Sequence, residues 1–98
     1  RKKLPTAIFC ESDEMAFGVY QALRKKGMRV PEDISIVGYD GHDFGVTVGL
    51  TTVAQPVRFL GQLAASQVMA LIEKPESVVS QMVVPTELIV RQSVLKIN

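Results

Sequence analysis

The sequence predicts an α/β fold built on a parallel sheet, and three observations support this class. Two short apolar runs, residues 4–10 (LPTAIFC) and 34–39 (ISIVGY), have the length and composition of buried strands. Residues 15–26, between them, carry apolar side chains at helical spacing. A strand, a helix and a second strand in this order favour two parallel strands joined by a right-handed crossover.

The first helix has sequence signals at both ends. Ser12 or Asp13 can cap its N-terminus through a side-chain oxygen, and acidic residues there suit the positive end of the helix dipole. Gly27 supplies the left-handed residue that commonly ends a helix. The predicted core-facing stripe consists of Ala16, Val19, Ala22 and Leu23. Phe17 and Tyr20 are predicted to lie off this stripe, where they either pack against a neighbouring loop or form a partner surface.

The second strand leads directly into a polar stretch. It breaks at Gly38 and is followed by four residues, which are Asp40, Gly41, His42 and Asp43. In open α/β sheets, ligands bind outside the carboxyl ends of the strands. We therefore expect function at this edge of the sheet.

The rest of the chain continues the alternation of elements. Residues 44–49 are predicted to form a glycine-punctuated loop with three exposed apolar side chains, Phe44, Val46 and Val48. Residues 50–54 form a third strand, and Pro56 suits the first turn of a helix over residues 57–73. The apolar stripe of that helix consists of Leu60, Leu63, Ala64, Val68 and Leu71. Residues 81–84 and 88–90 are predicted to be two further strands.

The composition argues against several classes of protein. The chain has 98 residues and a net charge of +1. Hydrophobic residues make up 47% of it, so we expect some of its apolar surface to meet a partner. A nucleic-acid-binding domain usually has a basic excess, and the one basic run, residues 1–3, is interpreted as a solvated end.

The single cysteine, Cys10, excludes a disulfide framework and predicts a small core residue. No apolar run approaches the ~20 residues of a membrane span. No signal-peptide pattern is visible, although an upstream one could have been removed.

Polar side chains follow each of the three predicted parallel strands. Glu11, Ser12 and Asp13 follow the first, Asp40, Gly41 and His42 follow the second, and Gln55 follows the third. Together they can donate hydrogen bonds to a polyol or a nucleobase and accept hydrogen bonds from it. Four of them also have a structural alternative. Ser12 can cap its helix, Asp40 can hold the following turn, His42 can be an ordinary loop residue and Gln55 can satisfy backbone groups.

The same residues give little support for catalysis or for metal binding. Ser12 and His42 could act as nucleophile and base, but no G-x-S-x-G elbow surrounds the serine. Asp40, His42 and Asp43 have no recognised metal-ligand spacing, and no glycine motif for phosphates or dinucleotides is visible. We therefore predict a binding protein without metal or cofactor rather than an enzyme. A small α/β enzyme that uses Asp40 and His42 is kept as a further alternative.

Four segments make the chain resemble the lac repressor (LacI/GalR) family of regulators. They are SDEMAFG, GMRVPEDISIVGYD, LTTVAQP and PTELIVRQS, in the family's order and at its spacing. The resemblance covers residues 5–94 and implies the C-terminal part of a two-lobed sensor domain with a type I periplasmic-binding-protein-like fold. It also implies a helix-turn-helix headpiece elsewhere in the intact protein. On this interpretation the sequence is a fragment of a cytoplasmic repressor.

The resemblance assigns roles to individual residues. In the family, the positions that match Ser12, Asp40 and Gln55 line the effector cleft, and many relatives carry Asn at the position of Ser12. The family also dimerises through surfaces that match four apolar residues of this chain, which are Phe17, Tyr20, Phe44 and Val46.

The resemblance further implies a division of the chain between two lobes. Residues 1–54 would belong to the C-terminal lobe, residues 55–85 to the N-terminal lobe, and residues 86–98 would return to the C-terminal lobe. The helix over residues 57–73 would then lack its normal sheet in the fragment. We expect its apolar stripe to be buried by self-association or by folding back on its own sheet, because wet apolar surface costs free energy.

The expected function is the sensing of a small polar effector, such as a sugar or a nucleoside, by a homodimeric repressor. Binding would favour one arrangement of the lobes and so change the affinity for operator DNA. The alternative is a periplasmic sugar-binding protein of a transporter, which has the two lobes but no headpiece. The upstream gene sequence discriminates between them, since it encodes either a helix-turn-helix or a signal peptide.

Overall fold

The computed structural model describes residues 3–98 and contains a four-stranded sheet. The strands lie across the sheet in chain order, as β1 (Ala7–Phe9), β2 (Ser35–Asp40), β3 (Thr51–Ala54) and β4 (Glu87–Ile89). β1, β2 and β3 are parallel, and β4 is antiparallel to β3. The predicted parallel order of the first three strands is therefore confirmed. Two residues of the basic run predicted as a solvated end lie outside the described residues.

Within the described residues, three helices accompany the sheet, α1 (Asp13–Lys25), α2 (Phe44–Val48) and α3 (Val57–Glu73). α1 starts at a side-chain cap, because the Oγ of Ser12 accepts a hydrogen bond of 3.1 Å from the backbone N–H of Met15. The bounds of α3 are those that the sequence predicts.

Two predictions about local structure are wrong. Residues 44–49 are not a loop, because most of them form α2, which ends at Gly49 with a left-handed φ of 73°. Residues 81–84 form no strand. A β-rich run becomes a strand only when a neighbour pairs with its backbone, and the described part of the chain supplies none at this place.

The core lies where α1 packs against β2, and it includes Cys10, as predicted. Its buried members are Cys10, Ala16, Leu23, Ile34, Ile36 and Leu50. Tyr20 packs against this cluster, whereas Ala22 is exposed. The prediction that Tyr20 lies off the apolar stripe is therefore wrong, since residues 16, 19, 20 and 23 share one helical face. Burial raises the pKa of the Tyr20 hydroxyl, an effect that the nearby Ser93 only partly offsets.

β1 is less buried than its sequence predicts. Ala7 and Phe9 are exposed, and Phe9 retains 61% of its accessible surface, while Ile8 packs against the core. Successive side chains of a strand point to opposite faces of the sheet, so Ile8 faces the core while Ala7 and Phe9 face away from it. The prediction of a buried strand is wrong for β1 and holds for the first half of β2.

The chain divides into two compact units. The first contains the residues up to Gln55 together with Glu87–Asn98, and it holds the sheet, α1, α2 and the core. In this unit the buried Ser93 ties the C-terminal segment to the sheet, because its Oγ accepts from the N–H of Thr51 at 2.8 Å and donates to the carbonyl of Ile36.

The second unit, Pro56–Thr86, contains α3 and the extended segment that follows it. Side chains from both line a hollow of about 330 Å³, and the Nε2 of Gln67 donates to the sulfur of Met82 at 3.6 Å. No residue of α3 is fully buried. The assignment of these segments to two lobes stays a prediction.

Candidate ligand-binding site

The carboxyl ends of β1, β2 and β3 lie at one edge of the sheet, because the three strands are parallel neighbours. Asp40 ends β2 beside Ala54 of β3, and Gln55 follows directly. The backbone N–H of Gln55 donates to the carbonyl of Asp40 at 3.1 Å, and its side-chain Nε2 donates to Oδ1 of Asp40 at 2.8 Å. The structure therefore brings Asp40 and Gln55 into direct contact, as the strand order predicts.

The backbone of Asp40 is held in a conformation that side-chain-bearing residues rarely adopt. Its φ is 128°, in the half of the map that favours glycine. Gly41 follows with a φ of 83°, and a Cβ at this position would lie 2.7 Å from the Cβ of Ala54. The turn after β2 thus requires glycine at position 41 and places backbone strain at position 40.

Asp13, the first residue of α1, lies at this edge as the sequence predicts, but the sequence did not predict its hydrogen-bond partners. Its side chain is 1% exposed. Oδ2 accepts hydrogen bonds from the backbone N–H groups of Gly41 at 3.1 Å and His42 at 2.7 Å, and Oδ1 accepts from the hydroxyl of Thr52 at 2.7 Å. Charge and position near a helix start indicated only a possible cap for Asp13. Its actual partners lie on two other segments of the chain.

Ser12 caps α1 and still has hydrogen-bonding capacity left. Its Oγ accepts from the N–H of Met15, which is the structural alternative considered for this residue. A hydroxyl also has one O–H donor, and that proton is not consumed by the cap. Ser12 can therefore donate a hydrogen bond at the carboxyl end of β1.

His42 is exposed and lies against α2. Its Nδ1 is 3.5 Å from the backbone N of Phe44, and the two rings are 4.5 Å apart between centroids. These contacts orient the imidazole towards α2. The imidazole thus contacts Phe44, whereas the side chain of Gln55 hydrogen-bonds to Asp40.

A shallow hollow of about 240 Å³ lies next to these strand ends and is lined by Phe9, Glu11 and Tyr39. Phe9 and Tyr39 lie on the same face of the sheet, because Phe9 pairs with Val37, two residues before Tyr39. The sequence pattern assigned both aromatic residues to strands and Glu11 to the start of a helix. The period-two alternation along β1 and β2 is the signal that could have placed Phe9 and Tyr39 on one face.

A second surface, here named the aromatic patch, consists of Phe17, Phe44, Val46 and Val48. The rings of Phe17 and Phe44 meet edge to face with centroids 5.5 Å apart, and Val46 is 65% exposed. Phe17, Phe44 and Val48 also line a hollow of about 460 Å³ together with Glu14 and Thr47. Phe44 is half-buried rather than exposed, because Phe17 and His42 pack against it.

Residues 3–98 contain neither a cluster of metal ligands nor a helix that could span a membrane. Within that range, no three or more side chains of His, Cys, Asp and Glu come close enough to hold a metal ion. None of the helices described there is both long and apolar enough to cross a bilayer.

Comparison with known proteins gives a consistent result. The profile of the family described as periplasmic binding protein-like domain matches residues 1–94. The probable HTH-type transcriptional repressor ExuR of Bacillus subtilis (strain 168) is 41% identical over 96 residues, which is 96% of this chain and 29% of that protein. The chain therefore spans less than a third of this relative's length.

Solved structures agree with the sequence relatives. A LacI family transcriptional regulator from Enterococcus faecalis V583 with bound ribose superposes with a TM-score of 0.93 and 39% identity, over 99% of this chain and 37% of that one. The lac repressor dimer bound to operator and the anti-inducer ONPF superposes with a TM-score of 0.82 and 33% identity, over 95% of this chain and 33% of that one.

Proposed function

This chain belongs to the periplasmic binding protein-like domain family, in the branch of the LacI-type regulators, and from that premise we propose that it is part of the effector-sensing domain of a DNA-binding transcriptional repressor. Its task is to bind a small polar molecule and to transmit that binding to a DNA-binding headpiece. The observation that carries the proposal is the contact between Asp40 and Gln55 at the carboxyl ends of parallel strands.

The hydrogen-bonding groups left free at this edge favour a neutral polyhydroxylated ligand. Gln55 occupies Oδ1 of Asp40, so Oδ2 stays available as a charged acceptor for a ligand hydroxyl. The Oε1 of Gln55 is a second acceptor, the O–H of Ser12 is a donor, and the carboxylate of Glu11 lies next to them in the hollow. An edge rich in carboxylates repels anions and suits the hydroxyl groups of a sugar or a nucleoside.

The ribose bound to the regulator from Enterococcus faecalis supports the sugar class for this chain. Asp40 and Gln55 are the principal ligand-binding residues, and Ser12 contributes one hydrogen bond. His42 contributes only if its ring turns away from Phe44. The side chains of Phe9 and Tyr39 add an apolar wall for one side of a sugar ring.

The mechanism is a shift of population between two arrangements of a two-lobed domain. A ligand changes that balance only by its difference in affinity for the two arrangements, and contacts with both lobes in one arrangement supply that difference. The first unit, which includes Asp40 and Gln55, supplies the C-terminal side of the cleft, and the second unit, Pro56–Thr86, belongs to the other lobe. The repressor acts in the cytoplasm, where its operator lies, and it binds rather than transforms its effector.

The aromatic patch is the proposed contact between two copies of the regulator. Val46 is 65% and Phe17 is 42% exposed, which leaves apolar surface for a second chain. Tyr20 supports this surface from within the protomer, because its ring packs against the core. The dimeric lac repressor bound to operator is the structural precedent among the relatives.

We favour the repressor over a periplasmic sugar-binding protein because ExuR, which matches 96% of this chain, is a probable transcriptional repressor. The alternative of an α/β enzyme with Asp40 and His42 loses support, since the imidazole is oriented towards Phe44.

Asp40→Asn in the complete regulator tests the function. Asn tolerates a positive φ at least as well as Asp, so the fold should persist, while the charged acceptor is lost. We expect affinity for D-ribose or for the best-bound neutral monosaccharide of a panel, measured by calorimetry, to fall by about tenfold or more. Operator binding without ligand should stay nearly unchanged.

Asp43→Asn is the matched control. It removes an equal charge from an exposed residue of the same loop, which gives no side-chain cap to α2, and it should leave ligand affinity within about twofold. Equal affinity of wild type and Asp40→Asn for the sugar would refute the role of Asp40.

A further inference from the structure

We infer that Asp13 is a positioning residue that presets the conformation of Asp40 for its ligand. The inference rests on the proposed function, since it gives Asp40 a ligand to bind. Asp13 itself is 1% exposed and has no free path to that ligand. It acts through the two backbone amides that follow Asp40.

The peptide unit between Asp40 and Gly41 is bound at both of its polar groups. Its N–H, on Gly41, donates to Oδ2 of Asp13 at 3.1 Å. Its carbonyl, on Asp40, accepts from the N–H of Gln55 at 3.1 Å. Because one partner comes from α1 and the other follows β3, two separate elements fix the plane of this peptide.

This fixation is needed because Asp40 has a φ of 128°. Such a conformation costs free energy and persists only where the surroundings hold it. The second hydrogen bond from Asp13, to the N–H of His42 at 2.7 Å, fixes the next peptide as well. Without Asp13 the turn could relax towards an ordinary backbone conformation, and the carboxylate of Asp40 would leave the strand edge.

Asp13 is itself held in place by its neighbours. The hydroxyl of Thr52, fully buried on β3, donates to Oδ1 at 2.7 Å. Gly38 on β2 leaves the space that Oδ1 occupies, since a Cβ at that position would collide with this atom. The carboxylate therefore connects α1, β3 and the turn after β2 in one orientation, which is the requirement for a preorganised site.

The test compares Asp13→Asn with Glu14→Gln in the complete regulator. Asp13→Asn removes the charge from the hydrogen bonds to Gly41 and His42. Glu14→Gln removes an equal charge from the next residue of the same helix turn, which is exposed. We expect Asp13→Asn to weaken D-ribose binding, or binding of the best monosaccharide of the panel, by about tenfold, and Glu14→Gln by less than about twofold.

A double-mutant cycle separates positioning from general stability. If Asp13 acts through Asp40, then Asp13→Asn should change the dissociation constant by less than about twofold in an Asp40→Asn background. Independent, multiplicative effects of the two substitutions on the dissociation constant would overturn the inference. A lowered melting temperature with unchanged sugar affinity would also overturn it, because it would show a purely structural role.

A measurement without ligand keeps the inference separate from the proposed function. The amide protons of Gly41 and His42 should shift in NMR spectra and exchange with solvent about tenfold faster in Asp13→Asn than in wild type or Glu14→Gln. If no sugar binds the wild-type protein but these amides respond, the proposed function fails while the positioning by Asp13 stands. If these amides do not respond, the positioning by Asp13 is wrong whatever binds.

Thr52→Val and Thr52→Ser cover the case in which Asp13→Asn does not fold. Valine has the shape of threonine but cannot donate to Oδ1 of Asp13, whereas serine keeps the hydroxyl. We expect weaker sugar binding and faster exchange at Gly41 and His42 for Thr52→Val, and values near wild type for Thr52→Ser. Equal values for the two variants would overturn the inference.

Discussion

Gly38 lies where β2 passes close to the carboxylate of Asp13. A Cβ on Gly38 would collide with Oδ1 of Asp13 and would come within 3.0 Å of Cδ2 of Leu50. Asp13 cannot move aside without breaking its hydrogen bond to the buried Thr52. The glycine is therefore required for space rather than for an unusual φ.

Gly38→Ala should destabilise the protein by about 2 kcal/mol, because an extra methyl group in a filled site forces its neighbours apart. Gly18→Ala is the matched control. Gly18 lies in α1 with nothing within 4 Å of its added Cβ, so alanine should be neutral or should stabilise the helix by up to about 1 kcal/mol. Urea-induced unfolding followed by circular dichroism measures both changes. Equal stability of Gly38→Ala and wild type would mean that Asp13 does not approach β2 this closely.

At the scale of elements, α1 lies next to three other parts of the fold. Its cap, Ser12, lies at the carboxyl end of β1, its first residue, Asp13, holds the turn after β2, and one turn later Phe17 contacts Phe44 of the aromatic patch. Further along the same helix, Leu23 packs into the core. A displacement of α1 would therefore change the contacts of the candidate ligand site and those of the aromatic patch at the same time.

Ser12→Ala should lower the free energy of unfolding by about 1 kcal/mol, because α1 loses its side-chain cap. Ser12→Asn keeps a capping oxygen and should have nearly wild-type stability. If Ser12 also donates to the ligand, calorimetry should show weaker sugar binding for Ser12→Ala at temperatures where the protein is fully folded. A Ser12→Ala protein with wild-type stability would show that the cap contributes little.

At the scale of the whole molecule, the distribution of exposed apolar side chains points to contacts with other chain segments. In the first unit they include the aromatic patch. In the second unit they include Val68 (54% exposed) and Ile72 (67% exposed) on α3. The expectation that self-association or the chain's own sheet covers the stripe of α3 stays a prediction.

Val46→Glu tests the aromatic patch as a contact between protomers. Val46 is 65% exposed, so a charge there should leave the protomer folded but would be buried without a partner in a dimer. We expect the dimer dissociation constant of the complete regulator, measured by analytical ultracentrifugation, to rise by about tenfold or more. Leu4→Glu, at another exposed apolar residue (55%), should leave it unchanged. Equal dissociation constants for the two variants would exclude the patch as an interface.

The sequence by itself determined α1, α3 and the parallel arrangement of the first three strands, whereas it did not predict α2. Helical spacing gave α3 its bounds, and the strand–helix–strand order gave a parallel sheet that brings Asp40 and Gln55 together. These signals are local, since each depends on residues within one element or on the length of one connection.

Tertiary structure alone decided which side chains are partners across the fold. Asp13 accepts hydrogen bonds from Gly41 and Thr52, which are 28 and 39 positions away in the chain. The spacing of residues within one element does not indicate contacts between residues so far apart. The same holds for Tyr20, which packs against the core, and for residues 81–84, which form no strand without a neighbour. The burial of a side chain and its hydrogen-bond partners depend on which distant segments become its neighbours in the folded chain, and only the three-dimensional arrangement determines those neighbours.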